Sequence, residues 1–358
     1  MCWTMKINNC AFLGLFVFVF FTYVGVLISY VENETLEIAD HLINRLVNQR
    51  RTKPVLEFRH VRWLDTGNNT ELCPDVTMNS RFAFVNYMVL NKAIKDDVRW
   101  YVISAVKLAQ SILFFTKKYD LIMMVALEDN MALSDWQLDI ILNSGWQICY
   151  VESIGSSLNY NNRFHSAKIY TKLNVWRLKE YEAVVSIDSD MYAVGDPSYL
   201  FEQIWPDMVA NNYTIGMGLD YPTQGTKRTL FNYVIGKCIP VKSHFNGGIF
   251  IVKPSEQTFT DLIRAIDTTD YDIGMCEQGL LNSFFKDRTY TLPYSLNVNM
   301  VTKACIPDLY YGSNKTFLHF TVAKPGKTSL LAMDFMWTCP WWEIEDECQM
   351  WVKQSVTL

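Results

Sequence analysis

The sequence predicts an α/β domain, built on an open, mostly parallel sheet with helices on both faces, behind one N-terminal membrane span. Three observations predict it. Apolar runs of strand length alternate with stretches of helical apolar spacing between residues 81 and 151. Loop-like segments such as Asn143-Ser144-Gly145 separate them. Residues 11–31 are uncharged over 21 positions and rich in Phe, Val and Leu. Half of the 358 residues are hydrophobic and 19% are charged, which excludes a disordered chain. The net charge is −5 and no Lys/Arg run appears, which argues against nucleic-acid binding.

Taken in order, residues 1–10 read as a cytosolic tail and 11–31 as a transmembrane signal anchor. Lys6 precedes the span, while Glu32, Glu34, Glu37 and Asp40 follow it, so the positive-inside rule places the bulk of the chain in the lumen. A cleaved signal peptide is the competing reading, but the span is long for one and residues 28–31 make a poor cleavage site. Residues 32–78 are polar and read as a stem. Sequons at Asn33, Asn68, Asn212 and Asn314 agree with a lumenal chain. Seven of the nine cysteines follow the span, an odd number whose pairing the sequence does not determine.

Residues 79–325 read as the globular domain. Strands are expected at 82–85, 121–126 and 147–151, and helices at 102–113 and 133–142. Sheets of this kind bind ligands at the carboxyl ends of their strands. Residues 181–187 form a further strand, ending in Asp188-Ser189-Asp190. Two carboxylates two positions apart on extended backbone share a side and repel unless a cation lies between them. The other reading is a solvated turn. Upstream, residues 168–178 have helical spacing and carry Lys172, which either meets a phosphate or is an ordinary surface lysine. Phe245-Asn246-Gly247-Gly248 reads either as a hairpin turn or as backbone that a ligand approaches closely. Cys276-Glu277-Gln278 opens a helix, where Glu277 could be a simple cap. His319 follows a short strand, with Lys324-Pro325 after it. No Ser/His/Asp or Cys/His nucleophile set, Walker loop or GxGxxG loop is present.

In order and spacing, the segment from Tyr170 to Asp190, Phe245-Asn246-Gly247-Gly248, Glu277-Gln278-Gly279-Leu280-Leu281-Asn282, His319 and Lys324-Pro325 resemble glycosyltransferase family 8, in its eukaryotic glycogenin-like branch. Residues 104–113 also look like the xylan glucuronyltransferases of that branch, and residues 341–347 like its galactinol synthases. The resemblance implies a GT-A fold and retaining transfer of a hexose-type sugar from a UDP-sugar to a glycan or glycoconjugate, with Mn²⁺ or a similar cation. It implies Asp188, Asp190 and His319 as metal ligands, a donor set suited to Mn²⁺. It implies Arg163, Lys172, Ser189 and Lys324 as nucleotide or phosphate contacts, with Asn86 and Tyr87 near the uridine. Asp220, Asn246, Gly247, Glu277 and Gln278 fall where the family contacts the donor sugar, and Gln278, Glu277 and Asp220 are the catalytic candidates.

The sequence departs from the family at Glu277, which replaces an Asp, and at Val322 and Gly326 around the Lys-Pro pair. Thr302 stands near the self-glucosylated Tyr of glycogenin, which argues against glycogen priming. Residues 223–243 look like an insertion, with Lys227, Arg228, Lys237 and Lys242 placed to border an acceptor site. Residues 326–358 are expected to be a C-terminal extension packing on the domain. The expectation is a single-pass type II membrane enzyme of the Golgi or ER/Golgi with a lumenal catalytic domain, a homodimer being left open. The alternatives are an inactive relative serving as a membrane-tethered scaffold and an unrelated α/β membrane protein.

Overall fold

The computed structural model describes residues 73–91, 98–128, 130–156, 168–220, 244–299, 302 and 307–320. The expected tail, span and most of the stem, Arg163, residues 223–243, Lys324 and the C-terminal extension lie outside the described residues. Among the described residues, no helix is long and apolar enough to cross a membrane.

The first half alternates as expected. β1 (Phe82–Leu90) leads to α1 (Val98–Phe115), β2 (Asp120–Leu127), α2 (Asp135–Asn143) and β3 (Gln147–Tyr150). The stop signal after α2 is used: Gly145 sits at φ 103°, a conformation open to glycine. A 3-10 helix, Tyr170–Arg177, takes the place of the expected α-helix and is buried from Tyr170 through Trp176. β4 (Ala183–Ile187) and β5 (Met191–Ala193) then flank the Asp188-Ser189-Asp190 segment. After β6 (Ile215–Leu219) come β7 (Phe245–Val252), α3 (Glu256–Thr268), α4 (Cys276–Phe284), β8 (Tyr290–Leu292), β9 (Val298–Asn299) and β10 (Phe317–His319).

Seven strands form one sheet in the order β3-β2-β1-β4-β7-β6-β8. β3, β2, β1 and β4 run parallel, as does the β6–β8 pair. β7 is antiparallel to both of its neighbours, so the sheet is mixed although mostly parallel. Side-chain alternation along β1 feeds two cores. Phe84 and Met88 pack on one face with Ala105, Ala109 and Ile112 of α1. Ala83, Val85 and Val89 pack on the other with Trp176, Leu262 of α3 and Leu280 of α4. Burial on both faces explains why these strands read as continuous apolar runs. The sequence reading did not foresee the second sheet, β5-β10-β9. A disulfide, Cys73–Cys149, ties the start of the domain to β3.

Candidate active site

The site forms where the parallel half of the sheet meets the antiparallel half. β4 ends at Ile187, and Asp188 N–H donates to Gly248 O (2.8 Å). The start of β7 therefore lies beside the end of β4, and Phe245-Asn246-Gly247-Gly248 is strand rather than hairpin turn. The two aspartates converge by a different route from the extended backbone expected. Met191 N–H donates to Asp188 O (3.1 Å), closing a turn over residues 188–191. The second sheet then supplies the histidine. β10 runs antiparallel to β5 with His319 opposite Met191, and Phe320 N–H donates to Asp190 O (2.9 Å). His319 Nε2 lies 3.5 Å from Asp190 Oδ1.

Asp188, Asp190 and His319 each offer one ligand atom, all within 4.8 Å of one another. Ligand atoms around one first-row cation stand at most about 4.4 Å apart, so small side-chain adjustments close the set. Two carboxylates and an imidazole are a donor set compatible with a divalent cation. Gly248 is a steric condition for this arrangement. A Cβ there would lie 2.2 Å from His319 Cε1 and 2.8 Å from Asn246 Oδ1.

Beside these three residues, Asn246, Gly247, Glu277, Gln278 and Asp220 form a connected wall. Gln278 Oε1 accepts from Gly247 N–H (2.9 Å), and its amide nitrogen donates to Asp220 Oδ2 (3.2 Å). Asp220 Oδ2 also accepts from His244 Nε2 (3.1 Å). Asn246 Oδ1 accepts from Gly248 N–H (2.8 Å) and from Asn297 Nδ2 (3.1 Å). Cys276, which leads into this wall, sits at φ 52°, ψ −131°, backbone that L residues rarely adopt. Burial pushes its thiol up to about 12, with the Glu277 charge adding to the shift, so it stays protonated and is no nucleophile.

Lys172 is neither a surface lysine nor open toward a ligand. It is fully buried. Its ammonium lies 2.8 Å from Asp188 Oδ1 and 2.8 Å from Glu277 Oε1, and donates to Gly247 O (2.9 Å). It also stands 5.0 Å from the centroid of the Tyr87 ring, a cation–π contact. Burial favours the neutral amine, but Asp188 and Glu277 outweigh it and hold the pKa well above the ordinary lysine value. Burial pushes the Glu277 carboxyl above the usual glutamate range, with Lys172 pulling it back. Glu277 is therefore the member of the wall that pairs with Lys172, not a simple helix cap.

Asn86 is held within the fold. It is fully buried, donates to Ile187 O (2.7 Å) and accepts from Ser189 Oγ (3.0 Å). It ties the end of β4 and the turn that follows it to β1. Thr302 is buried and donates to Asn299 O. The sequence reading missed His244 and Asn297. His244 immediately precedes the Phe-Asn-Gly-Gly segment and could have been weighed. Asn297 carried no signal, since an isolated Asn after a 3-10 turn is unremarkable in sequence.

The family model of glycosyl transferase family 8 matches residues 88–325. Among curated relatives, the chain is 27% identical over 193 residues to putative UDP-glucuronate:xylan alpha-glucuronosyltransferase 3 of Arabidopsis thaliana, covering 54% of this chain and 25% of that protein. It is 24% identical over 212 residues to galactinol synthase 1 of the same plant, covering 53% and 59%. It is 26% identical over 159 residues to glycogenin-1 of Caenorhabditis elegans, covering 42% and 30%. The chain spans between 25% and 33% of the length of the xylan glucuronosyltransferases that it matches. Among solved structures, the bifunctional glycosyltransferase WbbM matches with a TM-score of 0.50 at 17% identity, covering 71% of this chain and 48% of that one. That likeness bears out the GT-A-like α/β fold. The chain belongs to glycosyl transferase family 8.

Proposed function

We propose that the chain is a divalent-metal-dependent glycosyltransferase that moves a hexose-type sugar from a UDP-sugar to a glycan or glycoconjugate acceptor, with retention at the anomeric carbon. The observation that carries this reading is the convergence of Asp188, Asp190 and His319 beside the Asn246–Gln278 wall. Relatives whose names specify UDP-glucuronate as donor and xylan as acceptor support the donor and acceptor classes.

Asp188, Asp190 and His319 would hold the divalent cation, which would supply Lewis-acid neutralisation of the diphosphate. Lys172 holds Asp188 and Glu277 in place from beneath the site. Gln278 is gripped at both ends of its amide, by Gly247 and Asp220, so it can orient the donor sugar without reorganising. A charge-matched diphosphate leaves readily, and the site needs no second carboxyl acting as general acid. An acceptor hydroxyl attacks on the front face, past Gln278: its oxygen bonds to the anomeric carbon as the bond to the diphosphate oxygen breaks, and the departing diphosphate takes its proton. Arg163, Ser189 and Lys324 complete the phosphate contacts in this reading, and Tyr87 stands toward the uridine.

The Cys73–Cys149 disulfide supports an oxidising compartment. The sequon residues Asn212 and Asn314 are exposed, as lumenal glycosylation requires. With the apolar residues 11–31 as anchor, this supports a type II protein of the Golgi membrane. The test is UDP release from a panel of UDP-sugars by the purified chain with Mn²⁺. Asp190→Ala is expected to abolish release. Equal turnover in the presence of a chelator would remove the metal from the reading.

A further inference from the structure

We propose that Asn297 is a positioning residue that fixes the tautomer of His319 and presents its bare Nε2 to the metal site. The proposal rests on the metal reading above. The direction of the hydrogen bonds follows from one backbone group. Gly248 N–H can only donate, so the atom of Asn246 that it meets at 2.8 Å is the carbonyl oxygen Oδ1. That oxygen accepts, so the atom of Asn297 3.1 Å from it is the amide nitrogen. The other end of the Asn297 amide is then Oδ1, 2.9 Å from His319 Nδ1. A carbonyl oxygen only accepts, so Nδ1 carries the proton. In a neutral imidazole the other nitrogen is then a lone-pair donor.

That nitrogen is Nε2, which faces Asp190 Oδ1 at 3.5 Å. A lone pair and a carboxylate brought so close repel unless a cation lies between them. Metal-bound histidines generally donate their second N–H to an outer partner, which sets ring orientation and basicity. Here a buried asparagine takes that place. Its position is tightly bounded, since a Cβ on Gly218 would lie 2.8 Å from Asn297 Cβ. Asn297 thus also joins the metal ligand to Asn246, and through Asn246 to Gln278 in the sugar-facing wall.

The test uses the full chain labelled with ¹⁵N-histidine, in chelator and at mildly alkaline pH. The protein has five histidines, and His319→Gln identifies the resonance. The wild type is expected to show a pyrrole-type nitrogen at Nδ1 and a pyridine-type nitrogen at Nε2. Asn297→Asp should keep that pattern, because a carboxylate still accepts from Nδ1. Asn297→Leu should lose it and weaken Mn²⁺ uptake, read by electron paramagnetic resonance, by about 10–100-fold. Gly218→Ala should shift the same resonance by crowding Asn297. A wild-type ring protonated at Nε2, or Asn297→Leu binding Mn²⁺ as the wild type does, would overturn the proposal. A wild type that takes up no Mn²⁺ would overturn the metal reading, and the positioning role with it, whichever tautomer the ring shows.

Discussion

Lys172→Met removes the one cation that the described residues place between Asp188 and Glu277 while keeping most of the buried side-chain volume. Breaking a buried ion pair by deleting one partner costs about 3–5 kcal/mol. The Asp188 side chain is 26% exposed and keeps part of its hydration, whereas Glu277 is 7% exposed and does not. The cost therefore falls mainly on Glu277, toward the lower figure, about 3 kcal/mol. At about 2 °C per kcal/mol for a domain of this size, the melting temperature should drop by about 6 °C at neutral pH. Without Lys172, Glu277 escapes the penalty by holding a proton. Burial already raises its folded pKa, and losing Lys172 raises it further. Above its unfolded pKa of about 4.3, the unfolded chain has released that proton and the folded chain has not. The folded state then binds more protons, and stability falls as pH rises until the folded pKa is passed. The gap between wild type and variant should be small near the unfolded pKa and widen toward neutral pH. Thermal melts by circular dichroism across that range, in chelator, measure it. A constant gap, or a drop under about 1 °C at neutral pH, would refute the account.

Gly248→Ala should abolish Mn²⁺ uptake and UDP release, since its Cβ would overlap the His319 ring at 2.2 Å; Gly247→Ala, which meets Glu277 Oε1 at 3.2 Å and Gln278 Cβ at 3.3 Å, should be milder, both read by metal titration. Cys276→Val should lose about 2 kcal/mol, because a β-branched residue suits the positive φ of 52° poorly, while Cys276→Gly should stay near wild type, as measured by urea denaturation. Replacing Cys73 and Cys149 together by Ala should cost about 4 kcal/mol in the same assay, from the loop entropy of a 76-residue separation. An identical urea midpoint for that double variant and the oxidised wild type would show that the disulfide does not stabilise the domain.

The elements of the first half were legible because their signals are local. The continuous apolar runs at β1 and β2 and the Asn-Ser-Gly stop after α2 depend only on neighbours in sequence. The Asp188–Asp190 pair was also legible, though for a partly mistaken reason, since a turn and not a continued strand brings the two together. Lys172 was misplaced because its environment is assembled from Glu277 and Gly247, 105 and 75 residues away. Nothing next to Lys172 in sequence announces burial, and an unpaired lysine is normally exposed. Asn297 was invisible for the same reason: its partners are Asn246 and His319.

What the sequence motifs share is a topological cause. A strand antiparallel to β4 begins where β4 ends, so the Phe-Asn-Gly-Gly segment must enter the sheet beside Asp188. The register Ile187↔Ile249 then puts Gly248 level with Asp188, and only there does a missing Cβ open room for the imidazole. The second sheet obeys a similar condition. Pairing His319 with Met191 carries the ring onto the Asp190 side, and a slip of one residue would turn it to the opposite face. Three distant pieces of chain therefore form one candidate metal site only if both registers hold. A glycine at 248 and an asparagine at 297 are the residues that make those registers chemically useful, the first by leaving space and the second by directing a proton.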